Sequence, residues 1–185
     1  MKKQATLLFI FFSVVLSAQS VSKEYSKDIA LYRAKFFLIE NVLGSSEQYK
    51  KLYIDPLAAS KSTEITSIYY ESENKKGLLL GFFDDFWDSS GSGKGFQGYA
   101  YKNIDFDNAL SLLNKIEEII DEEKKYLNAD DNENNIFFKE DDIIIVIYRE
   151  GPFAGRIRLL WDGFDGEWEN TAFRRTKRRF EKALE

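Results

Sequence analysis

Hydrophobic and polar positions change period several times along this chain, and each change marks an element. The first apolar block, Leu7 to Leu16, is unbroken. It follows Lys2 and Lys3 and precedes the small residues Ser17, Ala18 and Ser20. A helix needs roughly 20 apolar residues to span a bilayer, and this block has about half that, so the pattern predicts a cleavable secretory leader over residues 1–20 and no transmembrane span. From Ser26 to Leu43 the apolar positions Ile29, Tyr32, Phe36, Ile39 and Leu43 recur at steps of three and four, the period of an amphipathic helix. Ser26 suits its N-terminus, and Gly44 suits the left-handed residue just past its end. Ser46 to Tyr53 reads as a short helix that Pro56 stops, followed by a loop through Thr63.

The period then becomes that of strands. Glu64 to Glu71 and Gly77 to Asp84, rich in β-branched and aromatic residues, predict a hairpin turning at Ser72 to Lys76. A Gly- and Ser-rich loop, Asp88 to Gly95, leads to a third strand near Phe96 to Lys102. Phe106 to Leu127 carries Ala109, Leu112, Leu113, Ile116, Ile119, Ile120 and Leu127 on one broad helical face, with Asp105 or Asp107 as its cap. Strands follow at Ile136 to Lys139 and Ile143 to Arg149. The second is apolar without alternation, which predicts a central strand covered on both faces. After a Gly-Pro turn, Arg156 to Asp162 alternates, with arginines on one face and the core on the other. A turn at Asp165 and Gly166 precedes Glu167 to Glu169, and a last helix runs from about Thr171 to the end.

The expected fold is therefore α+β: a mainly antiparallel sheet of about six strands covered by three main helices, in a possible αβββ-αβββ-α order. Short turns between strands cannot make parallel crossovers. Residues 21–185 suffice for a single domain with a sizeable core. Two small subdomains meeting near Asn103 are the alternative. There is no cysteine, so the core holds without disulfides, and a lipid-modified thiol at the cleavage site is excluded. The leader predicts an extracytoplasmic address, periplasm or medium.

Removing Lys2 and Lys3 with the leader takes the formal charge from −5 to −7. The charge is uneven. Asp105 to Asp142 holds thirteen acidic against four basic side chains, and Asn170 to Glu185 holds six basic against two acidic, so the two segments are expected to neutralise each other. The last helix, with Phe173, Phe180 and Leu184 on one face, is expected to dock, and its cations allow at most weak contact with an anionic surface. Overall charge and address argue against nucleic acid.

Chemistry is limited by what is missing. Without histidine or cysteine the chain builds no Ser-His-Asp triad, no Cys-His pair and no ordinary zinc site. Gly91-Ser-Gly-Lys-Gly95 departs from a phosphate-binding loop, having Asp88 where the first glycine belongs and Gly95 where Ser or Thr belongs. Asp130, Asn132, Asn134 and Asp141 space like calcium ligands, yet Asn135 stands at the turn glycine and a strand follows. No metal and no cofactor is expected. Carboxylates remain: Asp84 and Asp85 beside Trp87, Glu117 and Glu118, Asp141 and Asp142, and Asp162 and Asp165 beside Trp161. A glycosidase needs two of them across a cleft with aromatic walls.

Aromatics make up 16% of the chain. Trp161, Trp168, Arg156 and Arg158 lie close in sequence across one turn and combine residue types favoured in recognition. They are the candidate ligand-binding residues; no catalytic residue is assigned. The alternative is that the tryptophans close the core while the arginines pair with Glu167, Glu169 or Asp162. The leading expectation is an exported, non-catalytic binding protein recognising a protein or glycan. The alternatives are a small carboxylate-dependent polysaccharide hydrolase, or an inhibitor or immunity protein for an exported enzyme.

Overall fold

The computed structural model describes residues 31–44, 46–61, 64–87, 95–129, 134–150 and 154–184. The expected leader, the Asp88 to Lys94 loop and the calcium-like positions Asp130 and Asn132 lie outside the described residues. The chain divides at Gly44 into an N-terminal unit and a second unit, Ser45–Glu185.

In the first unit, residues 31–43 form helix α1, whose second half, Leu38–Leu43, widens into a π-helix. Gly44 ends it at φ +71°, as its expected place beyond the helix requires. Tyr32 and Phe36, one turn apart, bring their rings to 5.1 Å. Of the apolar positions that set its period, Tyr32, Phe36 and Ile39 are exposed, Leu43 is half-buried and Ile29 lies outside the described residues, while Ala34 and Leu38 are buried.

The second unit is α+β, with two antiparallel four-stranded meanders in place of one six-stranded sheet. Sheet A takes β1 (Tyr53–Ala59), β2 (Ile65–Ser72), β3 (Lys75–Trp87) and β4 (Gly95–Asp105) in that order. Helix α2 (Phe106–Glu122) and the single turn α3 (Lys124–Leu127) lead to sheet B: β5 (Asn135–Glu140), β6 (Ile143–Glu150), β7 (Ala154–Trp161) and β8 (Phe164–Glu169). Helix α4 (Asn170–Glu181) and a 3-10 turn, Lys182–Leu184, close the chain. Both halves thus read ββββα.

The extra strand in the first half is β1, where the sequence reading put a helix end and a loop. Proline is excluded from central strands because it cannot donate to the ladder, but an edge strand tolerates it. Pro56 sits on such an edge opposite Ile68, and the register slips between Pro56 and Ala58. Two sheets form because the chain leaves β4 at Asp105 directly into α2, so β5 starts a new meander. Asp105 holds the N-cap position of α2 without a side-chain cap bond; its Oδ1 accepts from Asn103 Nδ2 at 3.5 Å instead. Asp162 and Gly163, at φ +49° and +81°, make the tight β7–β8 turn.

One core serves both halves. Leu78, Leu80 and Phe82 of sheet A, Ile145, Ile147, Ile157, Leu159 and Trp168 of sheet B, and Leu112, Leu113, Ile116, Phe173 and Phe180 of the helices form a single buried cluster. The sheets meet where β8 packs against β3 and the start of β2: Glu167 N–H donates to Glu64 Oε2 at 2.7 Å, and Gly166 lies against Ile65. Inside, Ser67 Oγ and Thr176 Oγ1 lie 2.6 Å apart, with the Ala58 and Ala172 carbonyls in reach as further acceptors, so neither hydroxyl is stranded.

Helix α4 docks as its pattern predicts, through Ala172, Phe173, Thr176 and Phe180. Its cations meet the acidic segment: Arg174 reaches Glu117 and Asp121, and Lys177 lies 2.8 Å from Glu117. Arg179 donates to the Leu57 carbonyl at 2.9 Å and to Asp55 at 2.7 Å, which ties the edge strand β1 down. No helix among the described residues is long and apolar enough to cross a membrane.

Candidate functional site

The strand β6 positions the surface of interest. Its residues were expected to be covered on both faces because the run is apolar throughout. In the structure they alternate: Ile143, Ile145 and Ile147 enter the core, while Ile144 is 39% exposed and Val146 and Tyr148 are half-buried. The strand pair covered on both faces is in sheet A, where Leu78 and Leu80 point one way, Leu79 the other, and all three are buried. Apolar residues on the outside of β6 therefore have no counterpart in the core's demands.

Register sets out this outer face of sheet B as three rows. Phe137 of β5 lies opposite Val146, which lies opposite Arg158, which lies opposite Glu167. On one side Ile144 stands between Lys139 and Leu160, and on the other Tyr148 stands between Asn135 and Arg156. Phe137 is 76% exposed. The result is a flat face with an apolar centre on β5 and β6, a basic column on β7 and an acidic column, Asp165, Glu167 and Glu169, on β8.

The arginines are fixed across the ladder, each to the carboxylate one step diagonal to it. Arg156 bonds Glu167, and Arg158 bonds Asp165 through Nε. The Asp165 bond, opposed by partial burial and helped by the Tyr148 hydroxyl, raises the Arg158 pKa further above its ordinary value. These are planar donors held in place on a rigid sheet, with the Arg156 and Arg158 side chains 29% and 43% exposed.

The tryptophans lie on the other face. Trp168 is 1% exposed and stands perpendicular to Phe173 at 5.3 Å, so it belongs to the core. Trp161 packs its ring on Phe82 at 5.1 Å and donates from Nε1 to Asp142 at 2.9 Å. The structure thus brings Arg156 and Arg158 together and separates them from Trp161 and Trp168 by the thickness of the sheet. Phe137 and Ile144 complete the outer face and were absent from the sequence reading. Their signal was the surplus of apolar residues in a strand that needs only one hydrophobic face.

No protein-family model, curated protein or solved structure matches this chain. Function is read from its own geometry.

A second feature is a recess of about 310 Å³ between β4, the start of α2 and the β5–β6 turn, lined by Lys102, Asn103, Asp105, Asn108, Glu140 and Asp141 above Ile104, Leu112 and Ile143. Lys102 and the carboxylates at the β5–β6 turn are already paired. Lys102 Nζ lies 2.7 Å from Asp141 and 2.5 Å from Asp142, and Lys115 lies 3.0 Å from Glu140. Burial works against the Lys102 charge, but the two carboxylates outweigh it and raise its pKa; the same bond, helped by Trp161, lowers that of Asp142. The lining has no aromatic wall of the kind that holds a sugar. Of the other carboxylate pairs, Asp165 is on the outer face while Trp161 faces the core, and the side chains of Asp85 and Trp87 lie outside the described residues. Among the described residues no group of three potential metal-ligating side chains gathers.

Proposed function

We propose that the protein is exported and binds a partner protein, without catalysing a reaction, through the outer face of sheet B. The observation that carries this reading is the uncovered apolar centre, Phe137 and Ile144 beside Val146 and Leu160, next to two arginines held rigid by Asp165 and Glu167. Aromatic and aliphatic anchors with adjacent arginines are the residue types that dominate protein–protein hot spots. A glycan is the weaker fit on this face, because Trp168 is turned into the core and Trp161 is bonded to Asp142. If the partner is an exported enzyme, the same face makes the protein its inhibitor. Among the described residues the hydrolase alternative is left with the recess at Lys102, where Glu140 and Asp141 are ion-paired and Asp105 accepts from Asn103.

The test is affinity capture from the cell envelope and medium of the source cell, comparing the unaltered protein with Ile144→Asp, with Arg158→Ala and, as a distant control, with Glu122→Ala on the exposed side of α2. One protein retained by the unaltered chain and the control, and lost by both outer-face variants, supports the reading. Equal retention by all four overturns it, as does retention of a polymer that survives proteolysis.

A further inference from the structure

Sheet edges present unpaired backbone groups, and natural proteins cover them or use them. In this molecule β1 has Arg179 donating to its Leu57 carbonyl, and β8 has the Glu167 N–H bonded to Glu64. Among the described residues the ladder of β4 runs to β3 alone and that of β5 to β6 alone, and of these two edges it is β5 that presents Phe137, 76% exposed. Its sequence, Asn135-Ile-Phe-Phe-Lys-Glu140, can be read against itself. In an antiparallel pair, directly opposed residues share a face, so a two-fold axis at Phe137 puts Phe137 against Phe137 of the second copy on the outer face. Ile136 then meets Phe138 on the inner face. Lys139 meets Asn135, and Glu140 meets Asn134, so no like charges oppose each other. Apolar residues are matched on both faces at once.

We infer that β5 is a homodimerisation edge, at which two copies of this chain join their second sheets by antiparallel pairing about Phe137. Dimerisation makes one continuous eight-stranded sheet and merges the two outer faces, with Phe137, Val146 and Ile144 of each copy flanking the axis. The inference does not rest on the partner reading above, since it concerns the protein alone. Six residues a side bury less than the roughly 1,200 Å² of the smallest stable interfaces, so the association is reversible, with Kd in the range of tens to hundreds of micromolar.

Sedimentation velocity on the purified protein, as recovered after any cellular processing, tests it from about 1 to about 500 µM, the range such a Kd requires. The unaltered protein is expected to shift from monomer toward dimer with concentration. Phe137→Glu and Phe137→Lys are each expected to remain monomeric throughout, because the axis places like charges in contact. An equimolar mixture of the two is expected to regain the dimer. A monomer at all concentrations for the unaltered protein overturns the inference. So does a dimer unaffected by either substitution, or a mixture that stays monomeric. If either variant fails to fold, hydrogen exchange on the unaltered protein decides: protection of the β5 amides must rise with concentration. Because no partner is present in these measurements, their failure leaves the partner reading standing, and the reverse also holds.

Discussion

Replacing Gly166 with alanine probes the seam that turns the outer face of sheet B outward. A Cβ at Gly166 would lie 2.5 Å from Ile65 Cδ1 and 3.0 Å from Cγ1. Carbon atoms pack best at about 3.5–4.0 Å, so one of the two must move by about 1 Å. Ile65 is wholly buried, so the displaced atoms must be taken up by the packed interior. Overpacking of this kind costs about 1–3 kcal/mol, and the lost backbone freedom of the unfolded chain returns about 0.4–1 kcal/mol. The expected net loss is about 1–2 kcal/mol, a fall in Tm of about 2–8 °C for a domain of this size. Gly166 is not held at positive φ, so backbone strain does not confound the result. Urea denaturation of Gly166→Ala, of Ile65→Val and of the double variant supplies the assay. Ile65→Val alone costs about 0.5–1.5 kcal/mol. It also removes the offending Cδ1, so the double variant must be more stable than the sum of the singles predicts, by about 1 kcal/mol. Strict additivity, or no loss in Gly166→Ala, would refute the seating of β8 against β2 and with it the outward facing of Asp165 and Glu167.

Other expectations follow from the same packing. Trp168→Ala should cost about 3–5 kcal/mol in chemical denaturation, as for a large core aromatic, whereas Trp161→Ala, at the core's edge, should cost clearly less; equal costs would contradict their placement. Tyr69 and Tyr70 are pushed up to about 12, chiefly by burial, with Glu71 adding to the first and Asp105 to the second. Raised pKa values mean that the unfolded chain loses these protons first. Stability from this source is therefore intact below pH 10 and lost between about pH 10 and 12, which absorbance at 295 nm followed together with alkaline unfolding will show. Asp142 is displaced the other way by Lys102 and Trp161, so its contribution is present above the ordinary carboxylate pKa and lost as pH falls below it. Lys102→Met should flatten the acid limb of the stability profile, and an unchanged limb would remove Asp142 from the account.

Much of the fold was legible because local pattern and tertiary demand agree. The periods of α2 and α4 and the hairpin of β2 with β3 survive in the structure, and the two halves recur as ββββα in place of the expected αβββ. The cation–acid complementarity between α4 and the segment around Glu117 was equally readable. What escaped had a physical cause in each case. Pro56 looks like a breaker until its strand is known to be an edge, and edge status is a tertiary fact. The break from one sheet into two turns on β4 running straight into α2, which no local period announces. At the site, alternation placed Arg156 and Arg158 on one face correctly. The same parity puts Trp161, an odd step from Arg158, on the opposite face, and the two-residue turn at Asp162 and Gly163 carries that parity through to Trp168. Adjacency in sequence suggested a shared surface where the pleat separates it.

The measurement that bears most directly on the account is the affinity of the captured partner for Ile144→Asp against the unaltered protein, by calorimetry, once the variant is shown to melt at an unchanged temperature. Ile144 points outward from a central strand, so the fold tolerates the change, and a charge in the centre of a hot spot worth about 2 kcal/mol lowers affinity about 30-fold or more. That loss, with Glu122→Ala binding as tightly as the unaltered chain, is what the outer face of sheet B predicts; an affinity unchanged by Ile144→Asp would contradict it.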